Sequence, residues 1–219
     1  MGKNISSFIL GAIASVSMAQ PASADGMAWD GLYAGVHSEY LWGEPTLSGP
    51  GASTFLDGEV EGWAGGLTGG YNHVAGDYLF GVEADIALSD ADGSAAYNCC
   101  SGIEGLNVEL DWLSTVRGRV GFAQDNFLVF ATGGVAFGGL EGNYFGTVAS
   151  PQALDATAAG YTLGAGIEML VHEQVSLKAE YLYVDLANED LDFVNFFDIN
   201  SAGLETSLIK VGMNWHFQP

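Results

Sequence analysis

The sequence predicts an all-β protein: an eight-stranded antiparallel transmembrane β-barrel with short turns at one end and long loops at the other. Three observations carry this. Apolar residues recur with period two and no stretch sustains a helical period, in a chain with 32 Gly and only 5 Pro. The alternating segments number eight, and their connections are alternately short and long. Finally, aromatic residues gather in two bands with Ala, Val, Leu and Ile between them.

The eight segments are Trp29–Gly43, Glu59–Ala75, Tyr78–Asp90, Leu106–Gln124, Phe127–Glu141, Thr157–His172, Val175–Asn188 and Gly203–Phe217. The third shows the pattern clearly. YLFGVEADIAL places Phe80, Val82, Ala84, Ile86 and Leu88 on one face, with Gly81, Glu83, Asp85 and Ala87 on the other. The sixth places Tyr161, Leu163, Ala165, Ile167, Met169 and Val171 against Thr162, Gly164, Gly166 and Glu168. The eighth opposes Ile209, Val211, Met213, Trp215 and Phe217 to Lys210, Gly212, Asn214 and His216. Short connections fall at Ala75-Gly76-Asp77, Gln124-Asp125-Asn126 and His172-Glu173-Gln174. Each segment reaches the roughly 9–11 residues that a tilted membrane-spanning strand needs.

The apolar face could line a soluble barrel or meet lipid, and the aromatics decide. Trp29, Tyr71, Tyr78, Phe122, Phe127, Trp215 and Phe217 fall near the short-turn end. Tyr40, Trp42, Trp63, Trp112, Phe137, Tyr161, Tyr181 and Tyr183 fall near the long-loop end. Two girdles, with Trp29, Trp42, Trp63, Trp112 and Tyr161 as their anchors, put lipid outside. Residues 1–24 read as a secretory signal peptide: Lys3, an apolar run from Phe8 to Met18, and a small-x-small site ending at Ala24. Residues 25–219 form the barrel domain, its short turns periplasmic and its long loops extracellular.

Without the leader the chain has four basic and 27 acidic residues, a difference of −23. That excludes nucleic acid as a partner, since such binding needs a basic footprint. The two cysteines, Cys99 and Cys100, are adjacent, so they staple no scaffold, and no His nearby completes a metal site with them.

All four remaining cations, Arg117, Arg119, Lys178 and Lys210, sit on the less apolar face of a strand. Antiparallel neighbours offer acids on the same face. Glu83 and Asp85 face Arg117 and Arg119, and Glu168 neighbours Lys178. Lys210 can reach Glu180, or Glu39 once the barrel closes. An eight-stranded barrel is only wide enough to be filled by side chains, and charges buried there need partners. These nine residues are the expected lumen plug. Most of the other acids, including Asp90, Asp92, Glu104, Glu189, Asp190, Asp192 and Asp198, fall in the long loops or their rims. Solvation is their expected role; a divalent cation bridging them to lipopolysaccharide is the alternative. The densest run, NEDLD at Asn188–Asp192, lacks the spacing and Gly of a calcium-binding EF-hand loop.

WDGLYAGVHSEYLWG resembles the first strand of the small alphaproteobacterial outer-membrane surface-antigen family, which is similar in architecture to the OmpA-like barrels and often labelled "porin family". GGLTGGYNH, LDWLSTVRGRVGFAQDNFLVFATGGVAFG, LGAGIEMLV and LKAEYLYVDL resemble its second, fourth-to-fifth, sixth and seventh strands. The resemblance implies residence in the Gram-negative outer membrane, in contact with its lipid and lipopolysaccharide. It also implies that Ile209, Val211, Met213, Trp215 and Phe217 form the signal read by the barrel-assembly machinery. The chain departs from that pattern by continuing to Gln218 and Pro219. The family's described roles are structural surface protein, adhesin-like antigen and haemin binder.

No cofactor is expected. None of the four His residues lies in a long loop, where haem ligation would need it. His73, His172 and His216 fall near the short-turn end, where they could gather as a metal site, and His37 shares a face with Glu39 for a lumen hydrogen bond. There is no Gly-x-Ser-x-Gly and no phosphate loop. The expected function is a structural barrel presenting acidic loops for envelope integrity and surface interaction. A small-solute porin, or a haemin-binding or adhesin receptor, is the alternative; an enzyme is not expected.

Overall fold

The computed structural model describes residues 26–48, 59–99, 102–145, 153–190 and 201–217; residues 1–24, expected to be a leader, lie outside them. Eight strands follow one another around a closed barrel: β1 (Gly31–Ser48), β2 (Val60–Ala75), β3 (Tyr78–Cys99), β4 (Gly102–Gln124), β5 (Phe127–Phe145), β6 (Ala153–His172), β7 (Val175–Asp190) and β8 (Ser201–Phe217). Every neighbouring pair is antiparallel, and β1 pairs with β8 from Leu32↔Phe217 to Ser48↔Ser201, so no edge is left open. Two-residue turns join β2–β3, β4–β5 and β6–β7. In the first, Gly76 takes φ 65°, the left-handed region that glycine enters without a steric penalty.

The long-loop end differs from expectation. The β3–β4 ladder continues to Cys99↔Gly102, so the stretch expected to be a long loop is mostly a paired hairpin with a bulge between Leu88 and Ala91. Asp92 and Glu104 therefore lie on strands, as do Glu189 and Asp190, while Asp192 and Asp198 fall outside the described residues. The alternation failed to signal these extensions because the two faces exchange character partway up the barrel. On β7 the buried series is Ser176, Lys178, Glu180 and then Leu182, Val184, Leu186. On β8 it runs His216, Asn214, Lys210 and then Leu208 and Leu204. Outward, the apolar Ile209, Val211, Met213, Trp215 and Phe217 give way to Ser207 and Glu205. Below the upper girdle the outward face is apolar; above it the outward face is polar and the apolar residues turn inward, the pattern a lipid-to-water boundary requires.

The lumen consequently has three layers. An upper apolar layer packs Leu41, Val60, Leu110, Leu113, Leu182, Val184, Leu186, Leu204 and Leu208. A charged layer fills the middle. A floor of Trp29, Leu79, Ala123, Leu128, Phe130 and Leu170 closes the short-turn end.

The floor corrects one girdle assignment. Trp29 is 0% exposed; it belongs to a short 3₁₀ helix, Gly26–Trp29, that tucks into the barrel mouth. Gly31, at φ 108°, lets the chain turn from that helix into β1. The indole Nε1 donates to the Asp125 carbonyl at 3.2 Å, and Asp30 accepts from the Val74 amide at 2.8 Å. Alternation along one strand cannot reveal a residue that precedes the strand and folds beneath it. Trp29→Phe should therefore lower stability by about 1–2 kcal/mol, from one lost hydrogen bond and a small void. A urea titration of the vesicle-folded barrel reads this; an unchanged midpoint would mean that the indole packs nothing.

Candidate functional site

The middle layer gathers all nine ionisable residues singled out by the sequence, each at most 5% exposed. Arg117 is the hub. Its Nη2 donates to Glu83 Oε1 at 2.5 Å and Asp85 Oδ2 at 2.7 Å, and its Nη1 to Glu180 Oε1 at 2.6 Å. Arg119 donates to Glu168 Oε2 at 2.8 Å, and its guanidinium lies 4.2 Å from the centre of the Phe130 ring. Lys178 Nζ donates to both oxygens of Glu83, at 2.8 and 2.7 Å. Lys210 Nζ sits 3.2 Å from Glu39 and 3.1 Å from Asp85.

The pairing follows wall-neighbour logic only in part: Glu83 pairs with Arg117 and Glu39 with Lys210, each in register. Glu168 and Lys178 are in register, yet Glu168 takes Arg119 and Lys178 takes Glu83. Glu180 and Lys210 are in register, yet Glu180 bonds Arg117 on β4. Inward side chains in so narrow a barrel converge near the axis, so long ones meet partners across the lumen rather than along the sheet.

Five residues beyond the nine complete the network. Tyr33 Oη donates to Glu83 at 2.6 Å and accepts from Arg119 at 3.0 Å. Thr115 donates to Asp85 at 2.9 Å. Ser176 and Asn214 donate to Glu168 Oε1 at 2.5 and 2.7 Å, and His216 Nε2 meets Ser176 Oγ at 2.9 Å. Each shares the inward phase of a predicted cation or acid on its own strand, which was the available signal. Gly70 makes room for this: a Cβ there would collide with Tyr33 Oη.

Other expected groupings are not formed. His216 is buried in the lumen, whereas His73 and His172 are exposed, and His73 pairs with Asp30 at 3.4 Å. The three therefore make no common metal site. His37 Nε2 lies 3.8 Å from Glu39, beyond hydrogen-bond reach. Of the girdle residues, Trp42, Trp63 and Tyr161 point outward with 38%, 58% and 48% exposure. Trp112 lies half-buried over Gly139.

The upper rim is acidic on its outer face. Glu44, Glu59, Glu61 and Glu205 border a cleft with Trp42 and Tyr183, and Tyr40 and Tyr183 donate to Glu61 and Glu205. On β4 and β5, Glu109, Asp111 and Glu141 bring their carboxylates within 4.8 Å of one another. No Lys or Arg of the barrel faces outward, because all four are in the lumen.

The chain is similar to known outer-membrane proteins. The family described as outer membrane protein β-barrel domain matches residues 8–217. The 31 kDa outer-membrane immunogenic protein of Brucella melitensis is 33% identical over 214 residues, covering 90% of this chain and 87% of that protein. The 22 kDa outer membrane protein of Rhizobium leguminosarum bv. viciae is 30% identical, covering 87% and 79%. Among solved structures, the outer membrane protein OprG of Pseudomonas aeruginosa superposes with TM-score 0.50 at 13% identity, over 87% of this chain and 97% of that one. That likeness shows the fold.

Proposed function

This chain belongs to the outer membrane protein β-barrel family, and we propose that it serves the outer membrane as a sealed structural barrel holding an acidic rim at the cell surface. The observation that carries this is the filled lumen. Nine buried charges lie between two apolar layers, which leaves no wide aqueous path for a porin. The paired strands above the upper girdle give the rim a rigid support, so the surface offered to a partner is a ring of carboxylates on β-structure as well as the loops. Relatives named for immunogenicity fit a surface-exposed end.

Catalysis is not part of this reading. The Ser176–His216 contact is buried, and Ser176 donates its proton to Glu168 rather than offering a free nucleophile. The partners it implies are outer-membrane lipid around the aliphatic belt, lipopolysaccharide at the rim, and the barrel-assembly machinery at β8. The outward row Ile209, Val211, Met213, Trp215 and Phe217 supports the last of these.

Liposome swelling tests the sealed barrel. Vesicles containing the refolded protein, placed in isotonic arabinose or glucose, should swell no faster than empty ones. Swelling in proportion to protein would favour the porin reading instead.

A further inference from the structure

The fixed charges of the lumen do not balance. Glu39, Glu83, Asp85, Glu168 and Glu180 supply five carboxylates, and Arg117, Arg119, Lys178 and Lys210 supply four cations, all buried between the two apolar layers. One uncompensated negative charge in so dry a space is strongly unfavourable. A fifth positive charge has to complete the set.

The hydrogen bonds show where it is missing. Glu83 accepts from Tyr33, Arg117 and Lys178. Asp85 accepts from Arg117 and Thr115. Glu168 accepts from Arg119, Ser176 and Asn214, and the His216 Nε2 that lies 3.6 Å from it is already hydrogen-bonded to Ser176; Glu180 accepts from Arg117. Glu39 alone among the five accepts none on either oxygen, and its cationic neighbour Lys210, 3.2 Å away, is shared with Asp85. Beside it, His37 has both ring nitrogens buried and without a hydrogen-bond partner. His37 Nε2 and Glu39 Oε2 lie 3.8 Å apart, a gap that a small side-chain rotation closes.

We propose that the His37–Glu39 pair is a proton-binding site, holding one proton at neutral pH and bringing the sealed lumen to neutrality. The charged groups around the pair are Lys210 on β8, Asp85 and Glu83 on β3, Arg117 on β4 and Lys178 on β7, with Glu180 of β7 beside Lys210. On β2 the ring lies against Gly66, which brings no charge. A free Glu carboxyl releases its proton near pH ~4.3 and a free imidazole near ~6.5. Above about pH 7 the unfolded chain therefore leaves both groups without the proton that the barrel keeps. Folding then takes up one proton, and the pair's contribution to stability is lost as pH rises, by up to about tenfold in the folding constant per pH unit. Glu39→Gln leaves four charges against four and needs no proton.

The test is urea unfolding of the vesicle-folded barrel at pH 7.5, 8.5 and 9.5, wild type beside Glu39→Gln and His216→Gln. The ratio of wild-type to Glu39→Gln folding constants should fall as pH rises, by up to about tenfold per pH unit. Parallel pH dependences overturn the site, and so does a loss of the slope in His216→Gln instead. A second measurement needs no variant to fold. Infrared spectra with ¹³C-labelled Glu carboxyls and NMR of ¹⁵N-labelled His, at pH 8, should show one protonated carboxyl or an imidazolium assigned to His37 in the folded wild type, and an imidazolium at His216 alone overturns the site. Ionised carboxylates with neutral imidazoles throughout overturn the site and leave a trapped alkali cation as the balancing charge. The inference rests on the lumen being sealed, which liposome swelling checks separately. Parallel slopes in a barrel that excludes sugars would remove the proton site alone.

Discussion

Arg117→Ala should destabilise the folded barrel by about 3–5 kcal/mol, because removing one partner of a buried ion pair leaves the other partners charged and dry. Three carboxylates lose a donor at once: Glu83, Asp85 and Glu180. Lys178 still reaches Glu83, and Thr115 still reaches Asp85, but the fork that ties β3 to β7 is gone. Arg117→Lys keeps the charge and loses the planar geometry, so its cost should fall between wild type and Ala. Urea midpoints in vesicles, together with the heat needed to shift the folded band on a gel, rank the three proteins. A midpoint for Arg117→Ala equal to wild type would mean that the network adds nothing to the barrel.

Leu208→Asp should be at least as damaging, at about 4–5 kcal/mol or more, because it buries an unpaired charge in the upper apolar layer. Leu208 is 0% exposed and packs with Leu41, Leu182 and Leu204. The informative companion is Ser207→Asp, one residue away and facing outward beside Glu205, which should stay within about 0.5 kcal/mol of wild type. If the lumen were polar throughout, as the alternation of the lower strands alone suggests, Leu208→Asp would instead be tolerated. Equal midpoints for the two variants would contradict the exchange of faces above the upper girdle.

That exchange marks the limit of what periodicity could read. Strand existence, order and closure followed from segments such as YLFGVEADIAL, where lipid on one side and charge on the other keep the two faces distinct. Higher up, Leu182, Val184 and Leu186 occupy the inward phase begun by Lys178 and Glu180. A reader who assigns faces by polarity alone therefore loses the strand just where water replaces lipid. Following phase instead of polarity recovers it. The same rule recovers Ser176, Asn214 and His216, which stand in phase with Lys178 and Lys210. Partner choice inside the lumen was legible where partners are wall neighbours, as for Glu83 with Arg117 and Glu39 with Lys210; elsewhere it depends on which long side chains meet across the axis. Arg117 joins Glu180 on β7 although β4 and β7 are not neighbours in the sheet. Trp29 was lost for a different reason: its position is fixed by a 3₁₀ helix and Gly31, outside any alternating pattern.

The most direct measurement is the electrical conductance of the refolded mature protein in a planar bilayer. A lumen closed by leucines above, ion pairs in the middle and the Trp29 layer below predicts a silent membrane. Arg117→Ala should stay silent wherever it folds, since the two apolar layers still close the path. A steady wild-type conductance, scaling with protein and selective for cations, would contradict the sealed lumen and make an acidic-mouthed pore the function to pursue.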